Sequence, residues 1–157
     1  MIDPQQAAKE GYFRIVGHWE TKLYGPDGVI KDVQSGSNVV TTVGKDALAV
    51  FLNSAAAAAT TFTVKYVGIG TGTTPETAAD TILNTEVSRT TGTVSYITSQ
   101  IYQVTATFAA GVGTGAITEY GLFNSNSAGT MYARYTKSVI NKGASDTLTV
   151  TAQITMS

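Results

Sequence analysis

The C-terminal run DTLTVTAQITM constrains the fold more than any other stretch. Leu148, Val150, Ala152, Ile154 and Met156 take every second position, and Thr147, Thr149, Thr151, Gln153 and Thr155 take the rest. A strand turns successive side chains to opposite faces, so this pattern has one apolar and one polar face. Wound as a helix, the same residues would scatter their apolar groups around the whole circumference. QIYQVTATFAA repeats the pattern, with Tyr102, Val104, Ala106 and Phe108 set against Gln103, Thr105 and Thr107. One-faced alternation belongs to antiparallel sheets with water on the outer side. Two such sheets must bury their inner faces together, which predicts a β-sandwich.

The rest of the chain extends that expectation. In YFRIVGHWETKLY, Phe13, Ile15, Trp19 and Leu23 point one way, while Arg14, His18, Glu20 and Lys22 mostly point the other. GPDG at 25–28 reads as a tight turn, with Pro26 presetting φ. VIKDVQ is then the return strand, SGSN at 35–38 a second turn and NVVTTV at 38–43 a third strand. GKDALAVFLNSAAAAA predicts the one helix, from Lys45 to about Ala58, because alanine and leucine favour it. Beyond Thr61, TFTVKYVGI, EVSRTTGTVSYIT, AITEYGLFN and MYARYTK complete about eight strands. The chain is thus expected to be mainly β: an antiparallel β-sandwich, jelly-roll-like or Ig-like, with one short α-helix. Residues 1–11 read as an N-terminal arm and 12–157 as one domain. Within it, 12–43 form the leading hairpin and strand, 45–58 the helix and 61–157 the main strands. Charged residues are only 13 %, and their place is taken by small and β-branched residues suited to a sheet surface.

Several kinds of chemistry are disfavoured by the same residues. The ten basic side chains are scattered and the net charge is −1, so no cluster exists to displace counterions, and no nucleic-acid partner is expected. No apolar run nears the roughly 20 residues of a membrane span, so no membrane partner is expected either. The start, MIDPQQAAKEGY, lacks the basic and apolar parts of a signal peptide, consistent with synthesis in a cytoplasm. The chain has no cysteine, which removes disulfides and thiolate chemistry.

VGIGTGTTPETAADTILNTE invites a phosphate-loop reading, but it fails in detail. Gly68, Gly70 and Gly72 have G-x-G-x-G spacing, without the third glycine of a dinucleotide fingerprint or the lysine of a P-loop. The glycines instead end a strand and open a threonine-rich crossover, with Thr74 or Thr77 capping a short helical piece through Asp80. His18, the only histidine, falls on an outward strand position. Asp27, Asp32 and Asp146 read as turn residues, and no G-x-S-x-G elbow is present. Asp80 and Glu86 come nearest to a carboxylate pair. Glu119 shares a strand face with Ile117 and Phe123, so it needs a partner such as Arg89, Arg134 or a backbone amide. No catalytic, cofactor-binding or metal-binding residue is predicted, and no cofactor.

Three segments together carry a resemblance. They are YGPDGVIKDVQSGSNVVTTVGKDALAVFL, then VGIGTGTTPETAADTILNTEVSR, then ITEYGLFNSNSAGTMYARY with INKGASDTLTVTAQITMS. In this order they resemble virion structural proteins of tailed bacteriophages, the small accessory proteins encoded among head and tail genes. The resemblance covers the chain from about Tyr24 to Ser157. It implies a non-enzymatic part of a phage particle, with a capsid decoration (cement) protein preferred over a tail, baseplate or fibre component. It also implies a homo-oligomer, trimer favoured, that binds the major capsid protein on the virion surface. The expected assembly contacts are Ile2, Pro4, Tyr12, Phe13 and Tyr24. In the tail or fibre reading, Tyr12, Trp19 and Tyr24 are the surface aromatics available to glycans.

Overall fold

The computed structural model describes residues 14–53, 63–98 and 100–157. Its elements are β1 (Ile15–Tyr24), β2 (Ile30–Val40), α1 (Thr42–Asn53), β3 (Tyr66–Gly70), β4 (Glu86–Thr91), β5 (Thr93–Thr98), β6 (Ile101–Phe108), β7 (Gly115–Phe123), β8 (Met131–Lys142) and β9 (Thr147–Met156). All strands pair antiparallel in one curled sheet, ordered β4-β3-β7-β8-β2-β1-β9-β6-β5. The mainly β, antiparallel, sandwich-like architecture read from alternation is borne out, with one short helix among the described residues.

Two strands curl the sheet by serving both of its halves. β2 pairs with β1 as far as Asn38, and its last residues, Val39 and Val40, pair with Arg134 and Ala133 of β8. β4 and β5 are separated by Gly92 alone, so the two ends of the strand order are lengths of one bent strand. Strands that change sheets at a bend form the corners of packed β-layers. At Gly92 a Cβ would lie 2.4 Å from Val104 Cγ1, so the corner has no room for a side chain. Between the layers lie Trp19, Val104, Phe108 and Val150 from one half, and Val67, Ile69, Tyr120, Leu122 and Tyr135 from the other. The Trp19 ring sits 6.1 Å from Tyr135 and 6.2 Å from Tyr120, centroid to centroid.

Several sequence expectations are corrected. SGSN is not a turn, because β2 runs straight through it, with Glu20 opposite Ser35 and Trp19 opposite Gly36. Gly36 is needed mid-strand, since a Cβ there would meet the Tyr135 hydroxyl at 3.1 Å. Asp32 lies in β2 opposite Leu23 rather than in a turn. The helix starts at Thr42, not Lys45, because Thr41 caps it: the Thr41 hydroxyl accepts the Gly44 amide at 3.1 Å and donates to the Met131 carbonyl. Residues 54–58, expected at its end, lie outside the described residues, as does the arm, 1–11. EVSRTTGTVSYIT forms two strands, which makes nine among the described residues. Residues 71–85 join neighbouring strands β3 and β4, so they are a long hairpin loop and not a crossover. Residues 77–80 form a turn instead of a helical piece, with the Asp80 amide donating to the Thr77 carbonyl at 3.2 Å.

Candidate functional site

The polar chemistry of this chain is concentrated under the 71–85 loop. The β7–β8 register shifts between Ile117, opposite Ile140, and Glu119, opposite Thr136, where one residue of β7 faces three of β8 in a bulge. A bulge resets the alternation of a strand. Ile117 and Tyr120 therefore both face the core, and Glu119 joins Phe123 on the outer side, which corrects the expected face shared with Ile117. Glu119 and Arg134 are both fully buried there, because the loop lies over them.

Glu119 accepts four hydrogen bonds. Its Oε1 takes the amides of Gly72 at 3.0 Å and Thr85 at 2.7 Å, and its Oε2 takes the Asn84 amide and Arg134 Nη2, each at 2.9 Å. Arg134 also donates to the Thr74 carbonyl at 3.0 Å, the Pro75 carbonyl at 3.4 Å and Asp80 Oδ2 at 2.7 Å. Asp80 in turn accepts the amide and the hydroxyl of Thr77. The Thr118 hydroxyl donates to the Gly72 carbonyl, and the Thr136 hydroxyl donates to Glu76. Leu83 completes the fastening by packing on Phe123 and Met131.

The glycines of GIGTG now have a physical reason. A Cβ on Gly70 would sit 2.6 Å from Glu119 Oε1 and 2.4 Å from the Thr85 carbonyl, and one on Gly72 would sit 2.5 Å from the same carboxylate oxygen. The backbone passes against a carboxylate of its own chain, as it would pass a phosphate in a nucleotide loop.

Burial by itself would raise the Glu119 carboxyl. The Thr85 and Asn84 amides, the Arg134 guanidinium and the Gly72 amide together outweigh it and hold the group below its usual range. Asp80 is likewise pushed up by partial burial and brought below its ordinary value by Thr77 and Arg134. Burial opposes the Arg134 charge, yet Asp80 and Glu119 more than compensate. With both Glu119 oxygens engaged and the carboxylate fully buried, this constellation fastens the loop to the sheet.

The other singled-out acids and bases lie apart. Glu86 forms a two-point pair with Arg89, at 2.8 and 2.7 Å, and does not join Asp80. Arg89 also lies 3.4 Å over the Phe123 ring and donates to the Ser125 and Ala128 carbonyls, which pins the turn between β7 and β8. Of the partners expected for Glu119, Arg134 and backbone amides are therefore the ones it has. Asp27 and Asp146 do sit in turns, accepting the Val29 and Gly143 amides. Lys142, buried beneath the second turn, donates to the Ala109 and Asp146 carbonyls. His18 is exposed on the outer face of β1, in a shallow polar hollow of about 340 Å³ with Glu20, Gln103, Thr151 and Gln153. Among the described residues, no three His, Asp or Glu side chains are grouped to hold a metal ion.

A second feature was not legible in the sequence. At one end of the fold, between α1 and the strand ends, lies an apolar cavity of about 310 Å³. Ile15, Val40, Leu48, Val64, Ile154 and Met156 line it, with Tyr102 and Tyr132. Burial pushes the Tyr132 phenol up to about 12 and raises that of Tyr102 further. Its walls come from α1 and six strands, so no local pattern announces it. Ile2, Pro4, Tyr12 and Phe13 lie outside the described residues. They precede Arg14, which exchanges backbone hydrogen bonds with Ser157 at the cavity end of β1. Tyr24 is at the opposite end of β1, about 30 Å away at strand rise, so it is not brought together with the cavity. Trp19 is fully buried in the core and is no surface aromatic.

No protein-family model, no curated protein and no solved structure matches the chain.

Proposed function

We propose that this chain is a non-enzymatic structural protein of a tailed-phage particle, an oligomeric cement that binds the assembled head and stabilises it. One observation carries the reading. The segments that bear the resemblance supply the same residues that interlock: Gly72, Asp80, Glu119 and Arg134 come from GIGTG, the D-T-x-L stretch, TEYGLF and MYAR. The motif is thus a fastening that makes a small domain rigid without disulfide or metal, as an exterior shell component requires. Large apolar side chains such as Leu52, Ile82 and Tyr96 are left at the surface.

Quantitative mass spectrometry of the particle that encodes the chain tests this directly. Hundreds of copies per virion, and saturable binding of the purified protein to heads, are expected. A handful of copies at one vertex overturns the cement reading in favour of a tail, baseplate or fibre component.

A further inference from the structure

We propose that the apolar cavity at the α1 end is an interface for a second copy of this chain, entered by that copy's N-terminal segment, Met1–Phe13. This deepens the structural reading above and rests on it for its biological purpose, but the surface is argued from its own features.

The cavity lining carries no charged side chain, and its apolar character continues onto the rim. Leu48 forms part of the wall, and Leu52, one helical turn further along the same face, is 73 % exposed. On the far side Tyr96 pairs with the wall residue Tyr102 and is 76 % exposed. β5, which holds Tyr96, ends the strand order, and its sequence TVSYIT has no charge and no proline. Lone terminal strands of this kind are normally protected by lysine, proline or a covering element, because they recruit other chains.

The uncharged lining suits a second copy of the same surface, because the cavity walls of two copies bring no like charges together. The position of Arg14 gives the means. Thirteen residues precede Arg14, whose backbone joins Ser157 at this same mouth. Extended, that length reaches about 40 Å, enough to cross to a neighbouring copy. Assembly at this end therefore delivers Ile2, Pro4, Tyr12 and Phe13 of each molecule to an apolar cavity of the next.

Sedimentation velocity on the full chain tests the proposal, alongside Leu52→Glu and Tyr96→Glu. Both changes put a charge on an exposed rim position, so folding is preserved, as circular dichroism will verify. The native chain is expected to sediment at a multiple of the single-chain mass, and each variant at the single-chain mass. Because the chain has no cysteine, differently tagged Pro4→Cys and Leu52→Cys copies can be mixed and oxidised, and a product carrying both tags is expected. A native chain that stays single at about 200 µM, a scale at which interfaces of even modest affinity assemble, overturns the proposal. Charge variants that assemble like the native chain overturn it too. So does a Pro4→Cys/Leu52→Cys double variant that closes only within one chain. An oligomer that ignores phage heads overturns the cement reading and leaves this interface standing. A native chain that saturates heads while staying single does the reverse.

Discussion

Glu119 shows how much one residue can hold. Its carboxylate fastens both ends of the 71–85 loop, through Gly72 on one side and Asn84 and Thr85 on the other, and neutralises an arginine with no solvent access. Glu119→Gln keeps the volume but leaves the Arg134 charge short of its buried partner. Removing one member of a buried pair costs about 3–5 kcal/mol, and urea denaturation of the variant is expected to show a loss of that order. The pH dependence follows from the direction of the shifts. Glu119 and Asp80 both titrate below their ordinary values when folded. Their contribution is therefore complete above the unfolded carboxyl range and is lost as pH falls below about 4, through the folded values. The native denaturation midpoint should drop across that window, and more gently in Glu119→Gln. An equally steep drop in the variant would show that other carboxyls govern acid unfolding. The need for a partner was legible in the sequence, because an acid on an otherwise apolar strand cannot go unpaired. The bulge that turns it outward was not, since it depends on the register between β7 and β8.

Elements were legible in proportion to the contrast between their faces. β6 and β9 show it best: Val104, Ala106, Leu148, Val150 and Ala152 are all buried as alternation requires. The first half of β2 was legible as a return strand, but its continuation through SGSN was hidden because Gln34 and Asn38 occupy the half-buried side and serines the other, so polar residues fill both faces. The corner at Gly92 was also silent, since a glycine within an alternating run signals either a bend or a weak strand. Two substitutions separate these cases. Val150→Asp buries an unpaired charge in the core and should abolish cooperative unfolding or soluble expression. A soluble variant with the native melting temperature would contradict the inward orientation of β9. Gly92→Ala adds one methyl against Val104 and the Lys65 and Thr105 carbonyls. Overpacking of this kind costs about 1–3 kcal/mol, and thermal unfolding should show the loss. Gly28→Ala, at a turn glycine with open space but positive φ, is the comparison for backbone strain without a clash.

On the scale of the whole molecule, the fold divides its two kinds of surface chemistry between places. Ion pairs and amide contacts fasten the 71–85 loop over one layer, and uncharged apolar surface gathers around the cavity end, where the chain enters at Arg14. Sequence reasoning found the first because its residues fall in short, ordered motifs. It missed the second because α1, β1, β2, β6, β7, β8 and β9 each contribute only one or two wall residues. Deleting Met1–Gly11 separates folding from assembly in this arrangement. Among the described residues strand pairing begins at Ile15 and the buried core at Trp19, so in the Leu52→Glu background, where copies are held apart, the deletion should move the melting temperature by no more than about 2 °C, the scale of a neutral surface change. In the native background the same deletion should lower the oligomer mass and the saturation of phage heads together. A large loss of melting temperature in the Leu52→Glu background would mean that each chain closes its own cavity, with the N-terminal segment part of the domain that it precedes.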